Sequence, residues 1–208
     1  AVWGLALLTK IHAWFLIPVL LVWVPVRLGM SRPDRVAGAF AAWLIGGLAV
    51  FYAGWPWLWY DTLPRLRAYL GTGVVRATIR VLYFGQVYAD RDVPWHYPWF
   101  YFAVTVPIGL HLLGLVGLAR GWRDRRADQF PLLLAGAILL FLGVFSTRIP
   151  VYDGERLFLV VFPLWAVLIG LGLAAVWERL CAGGRTWPRA ALAAAVVAQG
   201  YGVMAIHP

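Results

Sequence analysis

Long uncharged runs alternate with short charged segments along this chain, and that alternation is its dominant signal. Six stretches, residues 11–26, 36–53, 99–118, 130–146, 157–177 and 190–206, are mostly apolar and contain no Asp, Glu, Lys or Arg. An α-helix needs about 17 to 25 such residues to cross roughly 30 Å of hydrocarbon at about 1.5 Å per residue, and each stretch meets or approaches that length. Core helices of a soluble protein would carry a polar stripe at helical period, and these do not. The pattern predicts an all-α, polytopic transmembrane helix bundle of six spans. A seventh run at 1–8 reads as the tail of a helix that begins upstream. The whole of 1–208 is therefore expected to be a single integral-membrane domain, incomplete at both ends.

Charge adds a direction. The connections at 27–35, 119–129 and 178–189 hold ten arginines against four acids, Asp34, Asp124, Asp128 and Glu178. The excess of positive residues assigns them to the cytoplasmic side of a plasma (inner) membrane. The opposite side receives Lys10, the loop at 54–98, the short loop at 147–156 and His207. The loop at 54–98 is too long for a plain connector. Within it, Leu66, Leu70, Val74, Ala77 and Val81 fall in one narrow sector at 100° per residue, flanked by Arg65, Arg76 and Arg80. An interfacial helix over 64–83 is predicted, lying in the headgroup plane with its arginines level with lipid phosphates, although Gly71 and Gly73 weaken it.

Composition agrees with a membrane chain. Hydrophobic residues make up 62% and charged residues 13% of the 208 residues, which excludes an ordinary soluble globule. The net charge of +9 would suggest nucleic acid in a soluble protein; in this one it reflects arginine-rich loops, and no nucleic-acid partner is expected. The single cysteine, Cys181, excludes a disulfide framework, and no Cys/His cluster suggests zinc.

Four external features exceed what membrane anchoring requires. Lys10, the only lysine in the chain, ends Gly4-Leu5-Ala6-Leu7-Leu8-Thr9-Lys10 between two apolar runs, where it either snorkels or holds an anion. Trp57-Leu58-Trp59-Tyr60-Asp61 sets an acid among aromatics, suited to capping the next helix or to receiving a sugar, whose C–H face stacks on rings. Tyr88, His96 and Tyr97 supply hydrogen-bonding groups to the end of the long loop, and His96 is a candidate proton carrier or structural residue. Arg148, Tyr152, Asp153, Glu155 and Arg156 crowd nine residues before an apolar run, either as a salt-bridged turn or as a phosphate site in which an arginine binds bidentately.

The order of these features resembles the C-terminal part of the transmembrane region of GT-C glycosyltransferases, the superfamily of dolichyl-phosphate-mannose protein mannosyltransferases and the bacterial lipid A aminoarabinose transferase. The matching pieces are the turn at 4–10, Trp95-His96-Tyr97-Pro98-Trp99, Pro150-Val151-Tyr152-Asp153-Gly154-Glu155-Arg156-Leu157-Phe158 and the terminal His207-Pro208. The resemblance implies transfer of a sugar from a polyprenyl-phosphate donor to an acceptor on the extracytoplasmic face, without a cofactor. It puts the catalytic acid upstream of Ala1. Lys10, Arg156 and Arg148 would hold the donor phosphate. Trp57, Tyr60, Asp61, Tyr88, His96, Tyr97, Tyr152, Asp153 and Glu155 would line the substrate, and no metal ligand is assigned. Two other readings stay open: a multipass transporter, and a non-catalytic membrane subunit. The donor sugar, the acceptor and the oligomeric state are not set by the sequence.

Overall fold

The computed structural model describes residues 1–28, 33–72, 77–124, 129–147, 149–183 and 186–206. Among them the chain is mostly helical, with one small two-stranded sheet. It divides into two compact units, 1–80 with 89–91, and 81–88 with 92–208.

In the first unit, α1 (Val2–Thr9) leads through a 3-10 turn (Ile11–Phe15) into α2 (Leu16–Leu28); α3 (Pro33–Ala53), a second 3-10 turn (Pro56–Trp59) and α4 (Thr62–Thr72) follow. Pro33 opens α3 where its missing N–H costs nothing, and Asp34 faces the positive end of the helix dipole. Trp3, Leu7, Phe51 and Leu58 form the core, with Trp43, Trp55 and Tyr69 packed around it. Trp3 stacks on Trp43 at 4.5 Å and donates its indole N–H to the Ala13 carbonyl at 2.8 Å, which ties α1 to α3 and to the turn after it.

The second unit contains α5 (Tyr97–Thr105), α6 (Ile108–Arg123), α7 (Phe130–Phe145), α8 (Val161–Ala182) and α9 (Trp187–Ile206). Leu134, Ala137, Ile138, Phe141, Leu142 and Phe145 bury one face of α7 at helical spacing. The crossing of α6 and α8 is closer than large side chains permit. A Cβ on Gly172 would stand 2.7 Å from the Leu113 carbonyl carbon, and one on Gly117 would stand 2.9 Å from the Gly172 nitrogen. Small residues at such a crossing let backbones approach, which is how helices gain contact area where lipid and side chain are equally apolar. At one end of this pair Arg120 donates to Glu178 at 2.8 Å, joining two connections that arginine bias assigns to the same side. Trp99 of α5 donates its indole N–H to Ser146, the residue after α7, at 2.8 Å.

Among the described residues two helices, α3 with 21 residues and α8 with 22, are each long and apolar enough to cross a membrane. The predicted span at 99–118 is not one helix. It breaks into α5 and α6, which meet at 105°, and counts as a third crossing only if the bent pair is one span. The cause is Pro107, which cannot donate to the Ala103 carbonyl four residues earlier. The His111 ring nitrogen Nε2 makes that missing bond instead, at 3.2 Å. The predicted span at 11–26 is divided in turn, into the 3-10 segment and α2.

The predicted interfacial helix over 64–83 is corrected as well. Its first part is α4, but Arg80–Tyr83 is a strand, β1, paired with β2 (Gln86–Ala89). Phe84 and Gly85 connect them with φ of 48° and 76°, the two positive values of a type I′ hairpin. At its base, the Asp90 N–H donates to the Ile79 carbonyl at 2.9 Å. The β-branched residues after Gly71 and this turn outweigh the helical spacing. Val74 and Arg76 lie outside the described residues.

Candidate functional site

The second unit gathers most of the predicted site residues at the N-terminal ends of α5 and α8. Tyr97, the first residue of α5, is buried, and its hydroxyl accepts the Gly154 N–H at 3.1 Å. This bond joins positions 57 residues apart and seats the segment 151–158 against α5. The segment can make that approach because Asp153 and Gly154 take φ of 54° and 59°. The left-handed region suits glycine and is tolerated by aspartate. A methyl group on Gly154 would stand 3.3 Å from the Tyr101 ring. Val151 and Phe158 are buried on either side of the turn and fix its ends in apolar surroundings.

An aromatic cluster surrounds the turn. The Tyr97 ring lies 4.6 Å from Tyr101 and 5.0 Å from Tyr83, and Tyr83 lies 5.7 Å from His96. Tyr83 is buried, and burial, then the Tyr101 and Tyr88 phenols, hold its hydroxyl above the usual tyrosine range, so it stays a neutral hydrogen-bonding group. Tyr88 donates to the Gln86 side-chain carbonyl at 2.7 Å along β2. The Glu155 carboxylate lies within electrostatic reach of Tyr97. Arg156 donates to Asp153 at 3.2 Å; the two side chains are 70% and 55% exposed, so the guanidinium stands in solvent beside the cluster. Tyr152 is half-buried in the same segment. Chemically the arrangement offers ring faces, phenols, two carboxylates and one guanidinium, a set suited to a hydroxylated ligand with an anionic end.

The remaining candidates belong to the first unit. Lys10 is exposed in extended backbone between α1 and the 3-10 turn. Trp57, Tyr60 and Asp61 surround the start of α4, where the guanidinium of Arg65 sits 5.1 Å from the Trp57 ring and 5.7 Å from that of Tyr60 and donates to the Trp57 carbonyl. The Asp61 carbonyl accepts the Arg65 N–H at 3.0 Å. Arg148 and His207 lie outside the described residues. Among the described residues no group of three His, Cys, Asp or Glu is placed to hold a metal.

Tyr83 and Tyr101 were not among the expected residues. Tyr101 is legible in hindsight, one helical turn after Tyr97 on the same face. Tyr83 depends on the hairpin, whose Phe84-Gly85 turn is the signal that would have found it. Comparison with known proteins returns no match, neither to a family model nor to a curated protein or a solved structure.

Proposed function

We propose that this chain is part of a multipass enzyme of the plasma (inner) membrane, with six crossings, that transfers a sugar from a polyprenyl-phosphate donor on the extracytoplasmic face. The observation that carries the reading is the Tyr97–Gly154 hydrogen bond, which fastens a turn bearing Asp153, Glu155 and Arg156 onto the tyrosine cluster at the end of an apolar helix bundle. Ring faces receive the sugar, the carboxylates accept its hydroxyl protons, and Arg156 leaves Asp153 to take the phosphate as a two-pronged donor.

The test is binding of a photoreactive polyprenyl-phosphate sugar to the full-length protein in detergent. Saturable labelling, competed by unlabelled donor, supports the reading. A charge-assisted contact to phosphate contributes about 1.5 to 3 kcal/mol, so Arg156→Ala should weaken competition about 10- to 100-fold, and Arg156→Lys should recover part of it. Labelling that is not competed, or that is unchanged in Arg156→Ala, rejects it. One observation favours a second reading, a transporter: the break between α5 and α6 resembles the discontinuous helices that form transport sites. Solute flux into proteoliposomes without donor binding would select it.

A further inference from the structure

The outer face of α4 is the surface left unexplained by the site. The helix turns Leu66 and Tyr69 inward, onto the cluster built by Trp3, Leu7, Phe51 and Leu58. At 100° per residue Leu63, Arg67 and Leu70 then fall within about 60° of one another, on a flank centred about 100° from that inward direction. That side is open, with Leu63 67% and Leu70 46% exposed and Arg67 exposed between them. Trp59 and Tyr60, just before the helix, are 52% and 82% exposed. No acid occurs within α4, and among the described residues no carboxylate pairs with Arg67. The one carboxylate at its N-terminal end is Asp61.

We propose that this face docks on anionic phospholipid headgroups, with Leu63 and Leu70 entering the acyl boundary and Arg67 meeting the phosphates. Position supports that occupant. Phe51, in the last turn of α3, lies 5.9 Å from Tyr69 of α4. The 21 residues of α3 rise about 30 Å, the thickness of the hydrocarbon layer, so a crossing α3 ends where its packed neighbour α4 begins to meet headgroups. Charge supports it too, because a helix with two arginines and no acid complements a negative lipid surface. Arg65, over Trp57 and Tyr60 and donating to the Trp57 carbonyl, adds a positive charge behind the face. The inference requires α3 to cross the membrane and is independent of sugar transfer, so loss of donor binding leaves it intact.

The test uses the full chain with Cys181→Ser and Leu63→Cys, labelled at the new thiol with an environment-sensitive fluorophore. The protein is reconstituted into vesicles of phosphatidylcholine alone, or with about a third phosphatidylglycerol. Expected are blue-shifted emission, stronger quenching by lipids spin-labelled near the headgroup than by those labelled deep in the chain, and a shift toward the quenched state in the anionic vesicles. One basic residue near such a surface changes the equilibrium by up to about fivefold, an increment that Arg67→Glu should abolish, Arg67→Lys should keep and high salt should suppress. Water-like emission in both vesicles overturns the proposal, as does deeper quenching exceeding shallow quenching. Equal quenching in both compositions, unaffected by Arg67→Glu, overturns the choice of anionic lipid. Labelling at Leu70, also on the face, gives a second position if the first variant does not fold.

Discussion

Replacing Gly172 with alanine should loosen the second unit more than any other single methyl group. The added carbon would lie 2.7 Å from the Leu113 carbonyl carbon and 2.9 Å from the Gly117 nitrogen. Ordinary contact starts near 3.4 Å, and these two atoms and the still closer Leu113 carbonyl oxygen are all backbone, so no rotamer change makes room; α6 and α8 must separate by about 1 Å or more. The pair is packed through Leu113, Trp165 and Leu168, all buried. Taking about 50 cross-interface atom pairs at about 0.15 kcal/mol each, and a loss of a quarter to a half on opening a gap of this size, the cost is about 2 to 4 kcal/mol. No hydrophobic term offsets it within a bilayer, where lipid simply fills the gap. Gly170 is the control, two residues away on α8 with nothing within 4 Å of its Cβ position. Gly170→Ala should be neutral or stabilising by up to about 1 kcal/mol, since alanine is the better helix former. Unfolding by sodium dodecyl sulfate in mixed micelles, followed by tryptophan emission, measures both. Equal midpoints for the two variants would refute the close crossing.

Three further outcomes follow from individual bonds. Tyr97→Phe leaves the Gly154 N–H without its acceptor, at a cost of about 1 to 3 kcal/mol, and amide exchange at Gly154 should quicken about fivefold or more while the amides of α8 stay protected. His111→Phe orphans the Ala103 carbonyl; a double electron resonance distance across the Pro107 break should broaden in this variant and stay narrow in His111→Gln, which can still donate. A double-mutant cycle on Arg120 and Glu178 should return no more than about 1 kcal/mol, because these side chains are 44% and 63% exposed; a larger coupling would mean that the pair is desolvated.

The helical character of the chain was legible because uncharged runs of this length leave the backbone few alternatives. The boundaries were less so. A run from 99 to 118 looks continuous in hydropathy, and only Pro107 with His111 four residues on marks the place where the backbone turns. Helical spacing alone misled at 64–83, since residues at 66, 70, 74, 77 and 81 fit one sector whether or not the chain is helical. Turn chemistry decided that segment, and a phenylalanine in the left-handed region is a weaker sequence signal than Asn-Gly. For the site, density of polar residues before α8 identified the turn at 152–156, and aromatic density identified His96 and Tyr97. Their union rests on a bond spanning 57 positions, which no local pattern encodes.

The break at Pro107 also sets an order of assembly. The bond that shapes it joins His111 to Ala103, eight positions apart, so it can form as soon as this stretch has left the ribosome. The clasp from Tyr97 to Gly154 must wait until the rest of α6 and all of α7 have been made. Since domains mature from the N-terminal side during synthesis, the bend is in place before its distant partner exists. A nascent chain truncated before residue 150 should therefore hold α5 at its final angle to α6 while exposing the tyrosine cluster, an aromatic surface open to chaperones or lipids until the turn at 151–158 arrives to close it.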